Sequence, residues 1–118
     1  MSRIFYFGDT VNAVASGNFF TETMSSSYRD SYFNIQFYSD AGITPATPTD
    51  GTVSFKATDD RSVNKRYKSI IGGNFKAEDV DDENRIQPTV IGPLIMARIA
   101  LDSVIGATHF SAWIERGD

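Results

Sequence analysis

Apolar and polar residues alternate one by one along most of this chain, and a period of two predicts strands almost throughout. The clearest run is residues 31–39, where Phe33, Ile35 and Phe37 point one way and Asn34 and Gln36 the other. Residues 52–58 repeat it, with Val53, Phe55 and Ala57 inside and Thr52, Ser54 and Lys56 outside. Two further runs follow: Ile95, Ala97, Ile99 and Leu101, then Phe110, Ala112 and Ile114. The short turn around Gly106 between them predicts a closing hairpin. Residues 4–7 read Ile-Phe-Tyr-Phe, apolar on both sides of any strand they form. Such a run predicts a strand buried on two faces, or an arm or edge strand within residues 1–8 lent to a neighbour.

Turn residues punctuate these runs. Gly8-Asp9 and Gly17-Asn18 break the first part, and residues 25–27 are a serine loop. Pro45, Pro48 and Asp50-Gly51 mark a loop ending in a tight turn. Gly72-Gly73 stops a short strand over 67–71, one turn of helix fits residues 74–79, and Pro88 and Pro93 frame residues 90–92. No window sustains a helical period. Several short strands with regular turns predict an all-β, single-domain antiparallel β-sandwich, jelly-roll-like, over residues 1–118.

Composition narrows the function classes. With 118 residues, the chain is long enough to bury roughly two-thirds of its unfolded surface. It has no cysteine, which removes disulfides, thiol catalysis and cysteine-based zinc sites together. A net charge of −4 gives no electrostatic pull toward nucleic acid, which needs clustered Lys and Arg. No apolar run approaches a membrane span, and the start, MSRIFYF, lacks a signal peptide's long apolar segment. Assembly in the cytoplasm is the expectation, without nucleic acid or membrane as partner.

The residues that carry chemistry are sparse. His109 is the one histidine, so a triad, a metal set or an imidazole base would all have to use it. It lies in a strand on the face opposite Phe110, Ala112 and Ile114, and reads as structural; a pairing with Asp102 across the turn is the catalytic alternative. The acidic run Glu78, Asp79, Asp81, Asp82 and Glu83 lacks the alternating spacing and central glycine of a calcium loop, and reads as a solvated loop or a source of salt bridges to a partner. The basic stretch Arg61, Lys65, Arg66 and Lys68 is its complement. Within one subunit the two runs would neutralise each other; between subunits they would set orientation and register. The glycine pairs lack the context of a phosphate loop, and no serine sits on a nucleophile elbow. No catalytic residue, cofactor site or metal site is predicted.

Aromatic residues are the surplus. Most must fill the core, yet Tyr32, Tyr38 and Trp113 fall on strand faces opposite the apolar set. Aromatics on an outer face are enriched in interfaces. A sugar platform would use the same residues.

The second half of the chain resembles small β-rich structural proteins of tailed bacteriophages. The matching residues are Gly92, Pro93 and Leu94, then Arg98, Ile99 and Leu101, then Val104, Gly106, Ala107, Thr108, His109 and Phe110. Gly51, Thr52, Val53 and Phe55 match the strand that often precedes them in that group. The first half has no counterpart. The resemblance implies a virion component, a capsid decoration protein or a tail or baseplate accessory. Its partner would be the major capsid protein or a tail protein, and it would act as a homo-oligomer, often a trimer. A carbohydrate- or receptor-binding module is the rival expectation, and an enzyme ranks last.

Overall fold

The computed structural model describes residues 3–24, 30–41, 44–80, 89–91 and 94–117. The strands are β1 (Arg3–Tyr6), β2 (Asn12–Ala13), β3 (Gly17–Phe20), β4 (Asp30–Tyr38), β5 (Asp50–Thr58), β6 (Lys68–Lys76), β7 (Thr89–Ile91), β8 (Met96–Ile105) and β9 (His109–Gly117). A 3-10 turn, Ala77–Asp79, follows β6. The serine loop at 25–27, the acidic residues Asp81, Asp82 and Glu83, and Pro88 and Pro93 lie outside the described residues.

The strands form two antiparallel sheets. The front sheet runs β1-β9-β4-β7, with β2 also on β9, and the back sheet runs β3-β8-β5-β6. Their pairings are nested in sequence. β5 pairs with β6, β4 with β7, β3 with β8 and β1 with β9. A long antiparallel ribbon rolled on itself then brings β4 beside β9 and β5 beside β8. With β2 as a short extra partner of β9, this is the jelly-roll-like antiparallel sandwich expected from the strand pattern.

Alternation places the core between the sheets. Phe33, Ile35 and Phe37 of β4 and Phe110, Ala112 and Ile114 of β9 face Val53 and Phe55 of β5 and Ala97, Ile99 and Leu101 of β8, all buried. Phe7, Phe33 and Phe55 stack across the layers with ring centroids 5.3–6.4 Å apart, within the range where tilted aromatic pairs attract. Phe110 meets Phe19 edge-on at 4.9 Å.

The closing hairpin expected at Gly106 does not form. β8 and β9 belong to opposite sheets, and their apolar faces meet across the sandwich. Backbone bonds at the corner explain this. Thr49 N–H donates to the Ile105 carbonyl and holds the end of β8 against β5. Thr108 N–H donates to the Tyr38 carbonyl and starts β9 on β4. Alternation showed which faces are apolar; these non-local bonds decide which strands are neighbours.

Gly72-Gly73 does not stop a strand either. β6 continues to Lys76 through a bulge: Ser54 pairs with Asn74 but Lys56 with Ser69, so Phe55 alone faces residues 70–73. Gly72 has φ of +79° and supplies the left-handed step that the bulge requires. The bulge thrusts Ile71 into solvent, 97% exposed.

Among the described residues Arg116 is the largest fully buried side chain. It continues the inward set of β9 after Phe110, Ala112 and Ile114, and its Nη1 donates to the Leu94 carbonyl at 2.9 Å. This ties the segment before β8 to β9. A buried cation is costly unless its hydrogens are satisfied, so Arg116 is a structural clamp.

Candidate functional site

The outer face of the front sheet carries the exposed aromatics. β1 alternates, so Phe5 and Phe7 point into the core (3% and 0% exposed) while Ile4 and Tyr6 point out. Residues 4–7 are therefore an edge strand of their own sheet, and Phe5 and Phe7 serve the core, not an arm. The register sets Tyr6 opposite Trp113 and Ile4 opposite Glu115. On the other side of β9, Trp113 lies opposite Asn34 and Glu115 opposite Tyr32. Neighbouring strands are about 4.8 Å apart, so Ile4 and Tyr32 flank Glu115 about 10 Å from each other. The Tyr6 and Trp113 rings are 6.3 Å apart and tilted by 49°. Ile4, Tyr6 and Tyr32 are exposed and Trp113 is half-buried among them.

Tyr38 is not part of this group. It pairs with His109 at the far end of β4, six residues or roughly 20 Å from Tyr32. Tyr6 takes its place beside Trp113, an adjacency set by the β1–β9 register that no local pattern reveals. Its one local sign was the alternation inside Ile-Phe-Tyr-Phe. The amides between the aromatics are engaged. Asn34 Nδ2 donates to the Tyr32 carbonyl and Gln36 Nε2 to the Phe37 carbonyl, and both residues are nearly buried. The face thus offers rings and aliphatic surface around the exposed Glu115, with the Asn34 and Gln36 amides turned to backbone carbonyls.

His109 makes its contact with Thr108, Nδ1 to Oγ1 at 2.9 Å. Asp102 lies in the back sheet, where it accepts the Ser103 hydroxyl. The pairing of His109 with Asp102 is not formed, because the strand corner separates them into different sheets. Among the described residues no group of three or more His, Asp or Glu is placed to hold a metal, and no helix is long and apolar enough to cross a membrane.

The charged runs are separated. Arg61, Lys65 and Arg66 lie in the loop between β5 and β6, and Lys68 opens β6. Glu78 and Asp79 lie in the 3-10 turn past the other end of β6. Nine residues of strand separate the two ends, roughly 25 Å. Neutralisation between these residues within one subunit is thus ruled out; each end pairs locally. Arg66 reaches Asp60 at 3.8 Å and Lys76 reaches Glu78 at 3.9 Å. Asp60 also accepts the backbone N–H groups of Ser62 and Arg66. The Ser62 backbone bond leads in holding its carboxyl down at about 2, helped by the Ser62 hydroxyl and Arg66. On the outer face of the back sheet, Tyr67 stacks with Phe20 and under the Arg98 guanidinium, 4.9 Å from its ring. Burial raises the Tyr67 hydroxyl above its ordinary value, against the pull of Arg98.

No protein-family profile matches this chain, and no curated protein matches it. Solved structures similar to it are distant. One contains the CBM22-1 and GH10 modules of the Clostridium thermocellum N-terminal endo-1,4-beta-D-xylanase 10B, complexed with xylohexaose. It is 12% identical with a TM-score of 0.37, over 98% of this chain and 26% of that one. Another is the stem and receptor binding domain of the spike protein P1 from bacteriophage PM2. It is 10% identical with a TM-score of 0.34, over 97% of this chain and 66% of that one. The chain thus spans less than two thirds of either.

Proposed function

We propose that this chain is a non-catalytic structural subunit of a tailed-phage particle, a capsid decoration protein that docks on the lattice through the outer face of its front sheet. The observation that carries the docking face is the cluster of Ile4, Tyr6 and Tyr32 around Trp113 on three adjacent strands. Aromatic anchors at the centre of a flat patch are what protein interfaces concentrate. The phage assignment rests on the resemblance of the second half of the chain, and a tail or baseplate accessory is its variant. Binding to assembled subunits alone would stabilise the assembly by mass action.

A sugar would also stack on Trp113 and Tyr6. Sugars need directed hydrogen bonds as well; Asn34 and Gln36 each spend an amide hydrogen on a backbone carbonyl, while Glu115 stands exposed between Ile4 and Tyr32. The phage resemblance of the second half of the chain is what favours a protein partner. The test is a Tyr6→Ser/Tyr32→Ser variant added to particles that lack the protein. Unchanged melting with at least tenfold lower particle occupancy is the expected outcome. Wild-type occupancy removes this face from docking. Saturable binding to a glycan array, lost in Trp113→Ala, replaces the reading with the carbohydrate module.

A further inference from the structure

We infer that β6 is a self-recognition edge: it docks antiparallel against β6 of a second copy of this chain, around a two-fold axis near Ile71. Among the described residues β6 pairs on one side only, with β5, and so closes the back sheet with an open backbone edge. Two large apolar side chains stand almost fully in solvent, Val63 at 98% and Ile71 at 97%. Both belong to the β5–β6 unit. Ile71 sits one residue from the middle of the strand, on the bulge that the glycine pair permits.

The two ends of this edge differ in charge. Before the strand and at its start, Arg61, Lys65, Arg66 and Lys68 stand against Asp59 and Asp60. At its far end, Glu78 and Asp79 stand against Lys76. A two-fold operation reverses the strand, so the basic end of each copy meets the acidic end of the other, twice per interface. The same operation brings Ile71 against its mate at the axis. A two-fold contact requires such self-complementarity. A head-to-tail ring would satisfy one charged end per contact and leave Ile71 uncovered. The geometry thus points to two copies, not the three that the phage resemblance implies. It concerns a different sheet from the docking face and stands whether or not that face binds a particle.

Sedimentation equilibrium of the isolated protein tests this. The expected mass is twice the 13.0 kDa of one chain, with the dimer weakening as salt rises. Ile71→Asp should raise the dissociation constant at least tenfold, with melting unchanged when both proteins are measured dilute enough to be monomeric, since the side chain touches little in one subunit. Lys65→Glu/Lys68→Glu and Glu78→Lys/Asp79→Lys should each weaken self-association, and an equimolar mixture of the two should restore a two-copy species. A monomer at every concentration, a three-copy mass, or an Ile71→Asp dimer as tight as wild type overturns the inference.

Discussion

β1 and β6 are both edge strands, one in each sheet, and they are held in opposite ways. β1 has four residues, and with Phe7, which directly follows it, it drives Phe5 and Phe7 into the core. β6 has nine, yet its inward residues Ile70 and Phe75 are only half-buried, and its middle swells outward. An edge can be kept from strange partners by being short, or by being bulged and charged. β1 uses the first device and β6 the second. Adhesion to the sandwich is thus concentrated in the shorter strand, and the longer one keeps its freedom.

The largest test of that contrast falls on β1. Phe7→Ala removes a ring packed on Phe33 and Phe55, and should cost about 3–5 kcal/mol by urea denaturation. Removing residues 1–8 takes both phenylalanines and should abolish the cooperative transition, since whole domains hold only about 5–15 kcal/mol. A truncated chain that melts like wild type would show that β1 is dispensable. In β6 a smaller effect is expected. Gly72→Ala forces a side chain onto φ of +79° and should cost about 1–2 kcal/mol. A loss below 0.5 kcal/mol, measured the same way, would mean that the bulge relaxes freely.

The smallest effect lies at the basic end of β6, where Asp60 organises the loop. Its carboxyl titrates at about 2, below the 3.8 of a free aspartate. A depressed carboxylate stabilises the fold above 3.8 and loses that contribution as pH falls through about 2. The carboxyl should therefore stay ionised at pH 3 in an NMR titration, and the Ser62 amide shift should move only near pH 2. Titration of Asp60 close to 3.8 would remove its bonds to Ser62 and Arg66 from the solution structure.

The faces of this sandwich were legible from sequence because alternation is local. Phe33, Ile35 and Phe37, and Val53, Phe55 and Ala57, point inward as the pattern predicts. Partnership was not legible. β8 and β9 are adjacent in the chain but lie in different sheets, and Tyr6 finds Trp113 through a register that spans nearly the whole chain. Charge also misled. Arg116 reads as surface by residue type, while its place two residues after Ile114 puts it inside. The exposed Ile71 shows the reverse: an apolar residue carried outward by a bulge that residue type alone does not reveal.

The nesting of strand pairs has a consequence for synthesis. β9 occupies the space between β1 and β4, so the front sheet has no centre until β9 is made. While the ribosome is still decoding the preceding residues, Phe5, Phe7, Phe33 and Phe37 lack the part of their core that Phe110, Ala112 and Ile114 supply. Newly made chains must keep those rings from one another for several seconds, at translation rates of about 5–20 residues per second. Slow translation or a stall before His109 would therefore be the moment of greatest risk of clumping.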